Sequence, residues 1–191
     1  MTQASPLART LAAIDAANAL DPNLEDGRPA ALLYGERMSA ELARLFPEAS
    51  PLLQIAARGQ HVERWQVARE TYPEGREGYL TWRRDLGRRH ADRVAGMMAD
   101  AGFSAEDQAR IGVMLRKEGI KRDAEVQALE DVICFTFLRW YFAPFAAKHP
   151  AEAVLKIVEK TARKMSPEGR ARVLAEFPLP EDLAAAFRAA P

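Results

Sequence analysis

Proline and helix-capping residues recur along this chain at about one helix length, and no convincing run of alternating apolar and polar residues sits between hairpin turns. That punctuation predicts an all-α fold, a bundle of about eight helices. A first helix is expected over 6–20, stopping at Asp21-Pro22-Asn23 because proline biases its predecessor away from helical backbone. A loop to about Pro29 leads into a second helix over 31–46, closed by Pro47. Ser50-Pro51, an N-cap followed by proline at the first helical position, opens a third that runs to about Val67. The stretch RETYPEGREGY over 69–79 reads as an irregular loop, broken by its proline and glycines.

A helix over 80–101 should end at Gly102, and Ser104 with Asp107 resembles a capping box that opens a helix to about Glu118. Residues 123–148 form the most hydrophobic segment. Val132, Ile133, Phe135, Phe137, Leu138, Trp140, Tyr141 and Phe142 surround most of its circumference, as in a central helix. Helices over 151–165, 166–177 and 181–189 complete the series. At 191 residues, one domain spanning 1–191 is expected.

Lysine plus arginine and aspartate plus glutamate both number 27, so the chain lacks the overall basic excess of a nonspecific nucleic-acid binder. Any anion site must be local. Cys134 is the one cysteine, which excludes a disulfide framework and a cysteine metal site and suits a reducing compartment. Met1 to Arg9 has no apolar signal core, and no stretch approaches the roughly 18 apolar residues of a membrane span. A cytoplasmic location without membrane attachment is expected.

Polar groups on inward-facing helix positions are the candidates for chemistry. His61 has Arg58 three residues before it and Arg64 and Trp65 three and four after, so these side chains should share one face. His90 falls in the stripe Arg83, Leu86, His90, Val94, Met97, which places its imidazole among core-facing residues. Glu130 and Asp131 enter the most hydrophobic helix, where a carboxylate must find a cation, a donor or a proton. Imidazole and carboxylate together suit zinc, manganese or iron, and His61, His90 and Asp131 form the candidate ligand set. A bound metal would activate water, with Glu130 or Asp131 as the catalytic carboxylate. The competing reading makes each histidine a hydrogen-bonded core residue and each acid half of a structural ion pair. His149, beside Pro150, reads as a favourable charge at a helix C-terminus.

Between Arg58 and Arg93 lie nine arginines, six acids and no lysine, a local excess of positive charge. Arginine's planar fork matches carboxylate, sulfate or phosphate. Arg58, Arg64, Arg69, Arg76 and Arg83, with Tyr72 and Tyr79, are the candidate substrate-binding residues, and Lys160 and Lys164 form a second basic edge. Arginine outnumbers lysine across the whole chain, so composition explains part of this pattern, and Arg84, Arg88 and Arg89 read as solvated.

The segments ARGQHVERWQVARETYPEGREGYLTWRRDLGRRHA, QALEDVICFTFLRWYF and EKTARKMS resemble the family called domain of unknown function 4202. The resemblance covers about residues 31–166. It marks Gln60, His61, Arg64, Trp65, Arg69, Tyr72, Arg76, Tyr79, Trp82, Arg83, His90, Gln127, Glu130, Asp131, Lys160 and Lys164 as pattern residues and implies no activity. More distantly, the order His61, His90, Asp131 is similar to the metal-binding order of the HD phosphohydrolase superfamily, which implies a helical phosphoesterase using metal ions. The histidine-aspartate doublet of that superfamily is missing, since Ala91 follows His90, and Glu130 or Glu36 would have to stand in. The leading expectation is a metal-dependent helical hydrolase acting on a small anionic or phosphorylated substrate. The alternative is a noncatalytic module for an anion, a nucleotide or an acidic protein.

Overall fold

The computed structural model describes residues 4–190, so the outermost residues of the Met1 to Arg9 stretch lie outside it. The described fold is all-α, as the punctuation implied, with ten α-helices where about eight were expected, and no helix is long and apolar enough to cross a membrane. They gather into two compact units, Met1–Glu118 and Gly119–Pro191.

In the first unit, α1 (Pro6–Asn18) is capped by the Ser5 hydroxyl and followed by a short antiparallel hairpin, β1 (Leu24–Glu25) and β2 (Arg28–Pro29). That hairpin lies where only a loop was expected. Its turn is Asp26-Gly27, both at positive φ (52° and 71°), the backbone that two-residue hairpins require. Helices α2 (Ala30–Leu45) and α3 (Pro51–Gly59) follow, the latter started by Ser50 and Pro51 as expected. The 26-residue α4 (Gly75–Asp100) packs against α1 and along α5 (Ala105–Leu115). Ser104 and Asp107 make the complete capping box, and Gly102 takes φ +88° after α4.

Helix α4 is highly charged, yet its buried residues include Gly78, Trp82, Leu86, His90, Val94 and Met97, one stripe at helical spacing, flanked by Ala91 and Met98. Gly59, the last residue of α3, lies so close to α4 that a Cβ there would stand 2.7 Å from Val94 Cγ2. The two helices therefore meet nearly backbone to side chain where the histidines lie.

Two boundaries differ from expectation and bear on the site. Helix α3 stops at Gly59 instead of continuing to Val67. Asn18 Oδ1 accepts the Glu63 N–H (3.0 Å), and Glu63 adopts left-handed backbone (φ 49°) before a 3₁₀ turn over Arg64–Gln66. His61 and Arg64 are thus not on one α-helical face with Arg58. Helix α4, in turn, begins at Gly75, so Arg76 and Tyr79 belong to its first turns and not to a loop.

In the second unit, Asp123 caps α6 (Ala124–Thr136), which passes through a π turn (Phe137–Tyr141) into α7 (Phe142–Ala146). The widened turn has a local cause. Pro144 lacks an N–H and its ring crowds the carbonyl four residues back, a conflict that an inserted residue relieves. Helices α8 (Ala151–Lys164), α9 (Pro167–Glu176) and α10 (Glu181–Ala189) follow, with α10 packed on α8 and α9. As its composition implied, α6 is the buried helix of this unit, with Leu129, Val132 and Phe135 fully enclosed.

Candidate functional site

The segment after α3 brings Gln60, His61 and Arg64 against the buried stripe of α4. His61 stacks on Tyr34 of α2, ring centroids 3.9 Å apart and 14° from parallel, and its ring centroid is 6.3 Å from that of His90. Arg64 lies over the face of Trp82 at 4.6 Å, a cation-π contact, while Trp82 Nε1 donates to the Val67 carbonyl (2.9 Å). Both histidines are in an environment hostile to positive charge. Burial first, then Arg64 and Arg83, pushes the His90 pKa down to about 3, partly opposed by a hydrogen bond to the Gln60 backbone. Burial, Arg64, His90 and Arg83 hold His61 well below its ordinary value. Each is a neutral imidazole at physiological pH.

A cavity of about 430 Å³ opens beside this pair, lined by Gln60, Arg64, Arg83 and His90 and rimmed by Arg84, Arg88, Arg116, Lys117 and Glu118. Among the described residues, neither Arg64 nor Arg83 has a carboxylate partner, although both are half-buried. Burial and the neighbouring Arg83 push the Arg64 pKa down, the mark of cations held together without a counter-charge. Glu118 is engaged by Arg116 (2.7 Å). Two buried acceptors in the same lining, His90 Nε2 and Gln60 Oε1, also have no hydrogen-bond partner.

The other arginines and tyrosines named from the sequence have partners of their own or stand apart from this cavity. Arg58 grips Asp15 through two bonds of 2.6 and 2.7 Å and touches Ser39. Arg69 folds onto the carbonyls of Tyr72 (3.0 Å) and Pro73 (2.9 Å) and so braces the turn before α4. Tyr72 donates to Asp85 (3.1 Å). Arg76 is exposed, and Tyr79, also exposed, leans on Trp82. Of the seven candidates in this unit, Arg64 and Arg83 line the cavity. Arg84 and Arg88, read as solvated, reach its rim, and the turn Leu115 to Glu118 was missed because nothing in its local sequence says which helix it faces.

The acids of α6 belong to the second unit. Asp131 is 4% exposed, and its carboxylate accepts the Ser166 N–H (2.9 Å), the Ser166 hydroxyl (2.5 Å) and the Gln127 amide (3.0 Å). It holds the start of α9, helped by Gly169, where a Cβ would stand 3.0 Å from that carboxylate. The partner is a helix start, not the arginine that an ion pair would have supplied. Burial pushes its pKa up, against those hydrogen bonds. Glu130, 2% exposed, is met by Lys164 at 3.5 Å, and Lys160 is exposed on α8. Glu36, the possible substitute acid, pairs with Arg28 at 2.7 Å. Among the described residues, neither unit holds a group of three or more His, Cys, Asp or Glu side chains placed to bind a metal ion. His149 is exposed at the end of α7, its Nδ1 2.8 Å from the Phe145 carbonyl.

Comparison with known proteins agrees with the sequence motifs. The family model described as Domain of unknown function (DUF4202) matches residues 8–186, and the chain belongs to that family. No curated protein and no solved structure matches it.

Proposed function

We propose that this DUF4202 chain binds a small anionic ligand, a phosphoryl compound before a carboxylate, in the cavity between the end of α3 and α4. One observation carries the reading: Arg64 and Arg83 are two half-buried guanidinium groups without a carboxylate partner among the described residues. Proteins neutralise such charges internally unless a ligand does so, because partial burial of unpaired cations is unfavourable. Here the nearest acid on the rim is already held by Arg116. A dianion between the two forks would accept several charge-assisted hydrogen bonds and relieve the repulsion between them. The cavity volume, about 430 Å³, lies in the lower part of the range for small-molecule sites, about 300–1,000 Å³. A cytoplasmic metabolite-scale ligand fits this reading.

The test is thermal unfolding in the presence of inorganic phosphate, pyrophosphate or sulfate, with ionic strength held constant by chloride. Phosphate or pyrophosphate should raise the melting temperature of the wild type, because ligand binding stabilises the native state. Arg83→Gln should abolish the rise. No shift with any oxyanion, or an equal shift in the variant, would remove the site.

Metal-dependent hydrolysis on the HD phosphohydrolase pattern is the second reading, and the observation favouring it is the pair of neutral imidazoles, His61 and His90, with His90 Nε2 enclosed and without a hydrogen-bond partner among the described residues. Two imidazoles alone fall short of the three protein ligands of a catalytic zinc site. Stoichiometric zinc, manganese or iron in protein purified without chelator would favour it. Metal-free protein that binds phosphate without turnover would leave a binding module.

A further inference from the structure

Resting on that anion-binding reading, we infer that the ligand is a hydroxylated phosphate ester, a polyol or sugar phosphate, whose hydroxyl groups donate to His90 Nε2 and Gln60 Oε1. Both atoms are deeply enclosed, on residues 3% and 6% exposed, and neither has a hydrogen-bond partner among the described residues. Leaving a buried acceptor unsatisfied is costly, so native proteins keep few, and two in one cavity lining need an explanation. The tautomer of His90 sharpens the case. Its hydrogen bond to the Gln60 backbone favours the protonated ring, as a ring N–H donated to a carbonyl does, and with Nε2 unpartnered that bond uses Nδ1. A neutral imidazole that donates through Nδ1 presents a lone pair at Nε2. Two of the residues that line the cavity thus carry unsatisfied acceptors, and beside them lie cationic donors.

A bare inorganic oxyanion uses only the cationic half. The acceptors ask for neutral donors attached to the anion. An ammonium group, as in an amino acid, would meet Arg64 and Arg83 with no free acid in the lining to offset it. A nucleobase could supply N–H donors, yet no Phe, Tyr or Trp lines this cavity to stack on its face. Hydroxyl groups carry no charge, need no platform and sit naturally next to a phosphoryl group. The low basicity of His90 adds to this, since a neutral imidazole accepts from a hydroxyl without taking its proton.

The experiment is calorimetric titration of the full chain with inorganic phosphate, n-propyl phosphate, glycerol phosphate, ribose phosphate, glucose phosphate and adenosine monophosphate. At least one polyol phosphate should bind about tenfold or more tightly than n-propyl phosphate, the scale expected when a buried acceptor is satisfied. That ratio should collapse in Gln60→Leu. A measurement on the wild type keeps the test intact if the variant fails to fold: the His90 Nε2 nitrogen resonance should shift with the preferred polyol phosphate and not with n-propyl phosphate. Equal binding of polyol and propyl phosphates would overturn the hydroxyl inference while leaving the anion site standing. Adenosine monophosphate binding more tightly than every polyol phosphate would overturn it in favour of base recognition. A ratio that survives Gln60→Leu, with no His90 shift, would overturn it too. Failure of every compound, inorganic phosphate included, would instead remove the anion site on which it rests.

Discussion

Acidification is the perturbation to which this arrangement should respond most specifically, because two imidazoles, the buried His90 and the half-buried His61, are held neutral by burial and by Arg64 and Arg83. In the unfolded chain a histidine takes up its proton near pH 6.5, whereas His90 in the fold does so at about 3. A depressed folded pKa contributes stability that is complete above the unfolded value and is lost as pH falls from 6.5 towards 3. Below pH 6.5 the loss is about 1.4 kcal/mol per pH unit for each such group, so between pH 7 and 5 His90 alone accounts for about 2 kcal/mol. His61, lowered in the same direction by burial, Arg64 and His90, adds to that loss. Urea unfolding followed by tryptophan fluorescence at several pH values measures the sum, and the imidazole carbon resonances resolve each ring. His90 should not titrate between pH 7 and 5 in the folded protein, and His61 should titrate below its ordinary range. His90→Gln should reduce the pH dependence by the share of one histidine. A His90 resonance titrating near pH 6.5 would refute the claim that this site excludes positive charge.

Saturating pyrophosphate should move the His90 titration upward, since an anion offsets the field of Arg64 and Arg83; an unmoved resonance would place the anion elsewhere. Arg83→Gln should leave the melting temperature of the ligand-free protein unchanged or raised, because it relieves repulsion without breaking a bond. Arg58→Gln, by contrast, loses the bidentate Asp15 contact and should cost about 1–2 kcal/mol in urea unfolding, discounted for partial exposure. Gly59→Ala puts a methyl group against Val94 and should cost about 1–3 kcal/mol by the same assay; no loss would show that α3 and α4 can part freely. Asp131→Ala removes the acceptor at the start of α9 and should cost about 2–3 kcal/mol with chelator or with metal alike, and destabilisation that depends on metal would point instead to a ligand.

The helical fold was legible because its signals are local. Ser50-Pro51, Ser104 with Asp107 and Gly102 act on their own neighbours, and the stripe Leu86, His90, Val94, Met97 needs only the period of α4. The end of α3 was not, because what holds the following turn is Asn18, far back in α1, accepting from Glu63. Among the arginines, residue type says nothing about partner. Arg58 and Arg83 read alike in the sequence, yet Asp15 on α1 claims the first and no acid among the described residues claims the second. Asp131 shows the same limit: its burial was readable from the apolar residues around it, but its partner, Ser166, is brought to it only by the fold. The Asp26-Gly27 turn is a different case, a hairpin signal present in the sequence whose flanking strands are too short to show a period.

The most direct test of the central claim is diffraction from crystals grown with tungstate, a heavy tetrahedral oxyanion whose anomalous signal fixes its position. A peak is expected between the guanidinium groups of Arg64 and Arg83, next to His90. Tungstate bound only elsewhere, or Arg83 paired with a carboxylate in the refined structure, would contradict it.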